Sequence, residues 1–185
     1  MSRFPSRRGL RRERWRLLPL GLAAAVVLSG CATRYKSNVV PDCLNTDTLV
    51  LMAQSVPSAE MVPCIETTPA GWTFETIDIR DGHSFFALDS DRAGDRAVRV
   101  TLRRSCNVAG ATEIVSDEPG TRRFERVESV LRAYRGVRTY QFPGGCVTYR
   151  FDFERRGLAL VNEVSLAIGF ASRQEVARQA RLPSL

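Results

Sequence analysis

The run Cys146-Val147-Thr148-Tyr149-Arg150-Phe151-Asp152-Phe153-Glu154 alternates without interruption. Val147, Tyr149, Phe151 and Phe153 fall on one side, and Thr148, Arg150, Asp152 and Glu154 on the other. A period of two over this length marks an antiparallel strand with one buried and one wet face. Just before it, Val137 to Phe142 leads into Pro143-Gly144-Gly145, so the two runs read as a hairpin. Upstream, Ala97 to Leu102 repeats the pattern, with Val98, Val100 and Leu102 inward and Arg99, Thr101 and Arg103 outward. His83 to Leu88 is another strand, entered through the hairpin signal Asp81-Gly82. Trp72, Phe74 and Thr76 alternate, and then the phase slips to Ile77 and Ile79. A bulge near Glu75 accounts for the slip.

The remaining segments are shorter. Thr46 or Asp47 caps a short helix through Leu49, Val50, Met52 and Ala53, and Pro57 limits it. A short strand is expected near Thr112–Val115, and Asp117-Glu118-Pro119-Gly120 is a turn. Residues 121–131 fit a helix through Phe124, Val127 and Leu131, while their Arg/Glu alternation fits an exposed strand. Leu160, Val161, Val164 and Ile168 recur at helical spacing, and Ser172 with Glu175 forms a capping box for a last helix. The expected fold is α+β. A twisted antiparallel sheet of about five to seven strands follows a short N-terminal helix, and C-terminal helices pack on one face.

The N-terminus carries a different kind of signal. Residues 1–16 hold seven arginines and one acid, Glu13, and an apolar run follows from Leu17 to Leu28. That run has the length of a secretory hydrophobic region and is short of the roughly 20 residues that span a bilayer. It ends in Leu28-Ser29-Gly30-Cys31, which resembles the lipobox of bacterial lipoproteins. The resemblance covers residues 1–31. It implies cleavage before Cys31, a diacylglyceryl group on the Cys31 thiol and retention at the cell membrane on the extracytoplasmic side. The expected organisation is a signal peptide over 1–30, a lipidated tether over 31–42 and a single disulfide-stabilised domain over 43–185. The stretches Leu88–Gly94 and Phe142–Phe151 are similar to stretches of uncharacterised envelope proteins from actinobacteria. That similarity implies a source and no activity.

Processing changes the charge. The chain has 27 Lys+Arg and 20 Asp+Glu; losing seven Arg and one Glu leaves 20 against 19, a net of +1 over 155 residues. The high isoelectric point thus belongs to the leader, which removes the main argument for nucleic-acid binding. Cys43, Cys64, Cys106 and Cys146 remain as an even set in an oxidising compartment. Four cysteines allow three connectivities. The expected one is Cys43–Cys64 with Cys106–Cys146, because each pair brackets a compact run. With no C-x-x-C and one histidine, a zinc site is not expected.

No sequence constellation marks catalysis. His83 with Asp81 or Asp78 is a candidate general base, against the plainer reading of a histidine flanking a turn. Asp89-Ser90-Asp91-Arg92-Ala93-Gly94-Asp95 resembles the start of a calcium loop, but Ala93 and Val100 stand where ligands are needed. It reads as a polar hairpin loop. Phe142-Pro143-Gly144-Gly145-Cys146 reads as a structural turn, with a ligand loop as the alternative. The arginines cluster: Arg103 and Arg104, then six between 122 and 138 against two acids, Glu125 and Glu128. Arg122, Arg123, Arg126, Arg132, Arg135 and Arg138 are the candidate binding face for an anionic lipid, a polymer or an envelope protein. The function expected is a non-catalytic, lipid-anchored envelope binding module without a cofactor. The alternatives are a lipid or small-molecule carrier lined by Trp72, Phe151 and Phe153, and a hydrolase using His83.

Overall fold

The computed structural model describes residues 34–44, 46–155 and 157–181. The leader, Cys31 and the first residues of the expected tether lie outside this set. In chain order the elements are β1 (Tyr35–Ser37), α1 (Thr46–Ser55), β2 (Met61–Ile65), β3 (Trp72–Arg80), β4 (His83–Ser90), β5 (Gly94–Arg103) and β6 (Thr112–Ile114). There follow β7 (Arg122–Ser129), β8 (Arg135–Phe142), β9 (Gly145–Asp152), α2 (Leu158–Leu166), β10 (Ile168–Ser172) and α3 (Arg173–Gln179). Eight strands form one antiparallel sheet in the order β1-β3-β4-β5-β9-β8-β7-β6, and β10 pairs with β2 in a second sheet.

The α+β expectation is corrected. The fold is mostly β, with ten strands among the described residues, three short helices and a sandwich-like arrangement of a large and a small sheet. The extra strands come from segments too short or too polar to show a period. Tyr35–Ser37, within the stretch expected as tether, pairs with Ile77–Ile79. Residues 122–129 are extended, because their backbone is paired with β8 on one side and β6 on the other. The expected helix around Val164 and Ile168 stops at Leu166, and Ile168 starts a strand held by β2.

The long strands follow their alternation. Val98, Val100 and Leu102 meet Phe151, Tyr149 and Val147 across the β5–β9 pair, and all six are buried on the inner face. The β3 register shifts between Phe74 and Thr76, at the expected bulge, and so returns Ile77 and Ile79 to that face. The small sheet covers it: the Phe170 ring of β10 stacks on Tyr149 at 6.5 Å and meets Tyr140 edge-on at 5.3 Å. In α1, Leu49, Met52 and Ala53 recur at helical spacing and are buried, as is Val56 just past its end. The Arg173 guanidinium donates to the carbonyls of Ala53, Val56 and Ala59 at 2.8, 2.7 and 2.6 Å, closing the C-terminal end of α1. The Ser172 hydroxyl accepts from the Glu175 amide, the expected cap of α3. Trp72, Phe151 and Phe153 are buried and in ring–ring contact, so they fill the space that the carrier reading needs open.

Both expected disulfides are present, Cys43–Cys64 and Cys106–Cys146. The first ties the segment before α1 to β2. The second ties the loop after β5 to the start of β9. Each is worth about 2–4 kcal/mol.

The β8–β9 hairpin is docked as well as paired. Ser58 donates its hydroxyl to the Gly144 carbonyl at 2.6 Å, and the Glu60 amide donates to Pro143. Gly144 has φ +73°, and a Cβ there would lie 1.7 Å from the Ser58 carbonyl oxygen. Gly110 has φ +72° with open space around it. Gly144→Ala should therefore cost more than about 2 kcal/mol, while Gly110→Ala costs about 1 kcal/mol. Thermal unfolding followed by circular dichroism compares the two. Equal losses would show that the hairpin does not rest on the Ser58 loop.

Candidate functional site

Antiparallel pairing lines up the outward side chains in rows across the strands. One row runs Arg80, His83, Arg103, Cys146, Gln141 and Arg122. A second, four positions along β5, runs Thr76, Ala87, Arg99, Arg150, Val137 and Arg126. Between them lie Thr101, Thr148 and Thr139. The Thr139 and Thr148 hydroxyls share a hydrogen bond of 3.2 Å. A floor of hydroxyls is thus flanked by guanidinium groups.

The result is a hollow of about 340 Å³ lined by Arg99, Arg103, Arg126, Arg150, Thr101 and Thr148, with no carboxylate in its wall. Ser105, Cys106 and Asn107 close one side, where the Cys106–Cys146 bridge pins the loop onto the sheet. Among the described residues, neither Arg99 nor Arg103 has a carboxylate at ion-pair distance. Arg99 lies over the Phe85 ring, 4.8 Å from its centre. Glu128 reaches in from the rim, 3.1 Å from Arg126 and 3.9 Å from Arg150. Arg126 also donates to the Ala109 carbonyl. Arg99 and Arg150 stand directly opposite each other, a like-charge arrangement that costs stability in a sheet. An anion between them reverses the sign of that cost.

The six arginines of the expected face are divided by the strand period. Arg126 lines the hollow. Arg122 and Arg135 are exposed and paired with Glu113 and Asp152, at 2.7 and 2.8 Å. Arg132 is exposed in the turn before β8. Arg123 and Arg138 point to the inner side, where Arg138 is only 4% exposed. There Glu125 accepts from Arg138 at 2.5 Å and from Arg123 at 2.6 Å, while Asp117 pairs with Arg123 at 2.9 Å. Tyr140 donates to Asp117 at 2.9 Å. Burial pushes the Asp117 carboxyl up, but Tyr140, its own backbone amide and Arg123 outweigh it and hold the group below its usual range. Burial pushes the Tyr140 hydroxyl up to about 12. These two arginines are committed to internal partners. Sequence reasoning did not single out Arg99, Arg150, Thr101 and Thr148 as a site. Their outward placement was readable, but the β5–β9 adjacency that gathers them was not.

His83 stands in the first row between Arg80 and Arg103. Its ring has no hydrogen-bond partner among the described residues, so neither Asp81 nor Asp78 orients it as a base. Asp78 is 1% exposed and belongs to Arg80, at 2.7 Å, and to Arg34. Of the stretch 89–95 expected as a hairpin loop, only residues 91–93 connect β4 to β5, the rest being strand ends, and Asp89 accepts from the Arg96 amide at 2.7 Å. Among the described residues no cluster of His, Cys, Asp or Glu is arranged to hold a metal ion. Comparison of the chain with protein families, curated proteins and solved structures finds no match.

Burial lowers the His83 pKa below its usual value, and Arg103 and Arg80 lower it further, against a weaker pull from Asp78. The stability contributed by the neutral ring is complete above the unfolded value of about 6.5 and is lost as pH falls through the folded value. The His83 ring resonances should titrate below the midpoint of free histidine, and Arg103→Gln should raise that midpoint. A midpoint at or above the free value would contradict this placement of His83.

Proposed function

We propose that this chain is a lipid-anchored, extracytoplasmic binding module of the cell envelope that receives an anionic ligand on the outer face of its sheet. The observation that carries the binding reading is the hollow with four arginines, a hydroxyl floor and no carboxylate in its wall. Guanidinium forks pair with oxyanions bidentately, and a recess concentrates their field. Two disulfides support an oxidising compartment, in line with the lipobox resemblance at Leu28–Cys31. A hydrolase reading lacks an orienting partner for His83.

The test uses inositol hexakisphosphate, a compact polyanion, titrated by calorimetry into the full chain held in neutral detergent micelles. Arg99→Glu with Arg150→Glu should weaken binding by at least about a hundredfold, as expected for losing two charge-assisted contacts. Arg122→Glu with Arg135→Glu changes the net charge equally outside the hollow and should cost less than about tenfold. Equal losses would reduce the site to general charge attraction. Intact mass of membrane-extracted protein tests the anchor: the expected species is residues 31–185 plus a diacylglyceryl group. An unprocessed chain would remove it.

A further inference from the structure

The pinned loop closes the hollow on one side. On the other side of that loop lies a groove of about 490 Å³, between Arg104 and the Pro143-Gly144 hairpin. Ser105 and Cys106 line both depressions, so the two adjoin across the loop that the Cys106–Cys146 bridge pins. Arg104 belongs to the groove alone and, among the described residues, has no carboxylate at ion-pair distance.

The cations follow the same course. Arg126, Arg150 and Arg99 occupy one cross-strand row. Arg103 lies four positions further along β5, about 13 Å at the rise of a strand. Arg104 continues past the bridge. One oxyanion cannot touch both ends of such a series. A flat bilayer surface cannot follow a recess that passes beside a pinned loop.

Resting on the anion-binding reading above, we infer that hollow and groove form one path for a linear polyanion, whose successive charges meet Arg126, Arg150, Arg99, Arg103 and Arg104 in turn. The ligand class is an extended acidic chain, and the probe is linear inorganic polyphosphate. Each further occupied cation turns a new contact into an intramolecular one, so affinity rises with chain length until the path is filled.

Tripolyphosphate, polyphosphate of about 15 units and inositol hexakisphosphate are titrated into the full chain in neutral micelles. The long chain should bind at least about tenfold more tightly than either short probe, which multivalent gain readily supplies. Arg104→Gln should weaken the long chain about fivefold or more and leave tripolyphosphate unchanged, because it touches only the far part of the path. If the compact and short probes bind as tightly as the long chain, the path is a single-group site; the inference falls and the anion-binding reading stands. If the long chain loses affinity when the micelles are doped with phosphatidylglycerol, a lipid headgroup owns the hollow, and the inference falls in favour of the membrane. If no probe binds, both readings fall together.

Discussion

Burying Val147, Tyr149 and Phe151 against Val98, Val100 and Leu102 sends Thr148, Arg150, Arg99, Thr101 and Arg103 out on the other side. A strand has two faces, and a slip of one residue exchanges them. The apolar contact between β5 and β9 therefore sets the register of the outer face. The bulge at β3 serves the same constraint, since without it Ile77 and Ile79 would leave the core. Phe170 and α1 seal the inner face, and with it the direction in which every arginine of the central strands points.

The two sides of the sheet treat arginine oppositely. Inside, Arg123 and Arg138 are matched by Glu125 and Asp117, with Tyr140 completing the network. A buried guanidinium without such partners carries a desolvation cost that folding does not recover. Outside, Arg99 and Arg103 are left to solvent, and one rim carboxylate serves Arg126 and Arg150. Charges close together without counter-charges are tolerated where water or a ligand reaches them. The Cys106–Cys146 bridge gives that region a fixed wall, so the recess is pre-shaped.

Much of the sheet was legible in the sequence, because long alternation reports burial directly. The β9 strand, the inward set of β5, the bulge near Glu75, the Asp81-Gly82 turn and both disulfide pairs are found as expected. Fold class is not legible where the strands are short. Tyr35–Ser37, Met61–Ile65 and Ile168–Ser172 owe their extended form to distant partners, which no local pattern reveals. The site was half legible for the same reason. Proximity in sequence grouped Arg122 through Arg138, yet the strand period splits them between faces, while adjacency of β5 and β9 joins Arg99 to Arg150.

The most direct measurement is a nuclear magnetic resonance titration that follows the arginine Nε–H signals of the full chain in neutral micelles as inositol hexakisphosphate is added. The account predicts that Arg99, Arg103, Arg126 and Arg150 shift together along one binding curve while Arg123 and Arg138 stay still. Equal shifts at Arg122, Arg132 and Arg135, or none at the four lining residues, would contradict it.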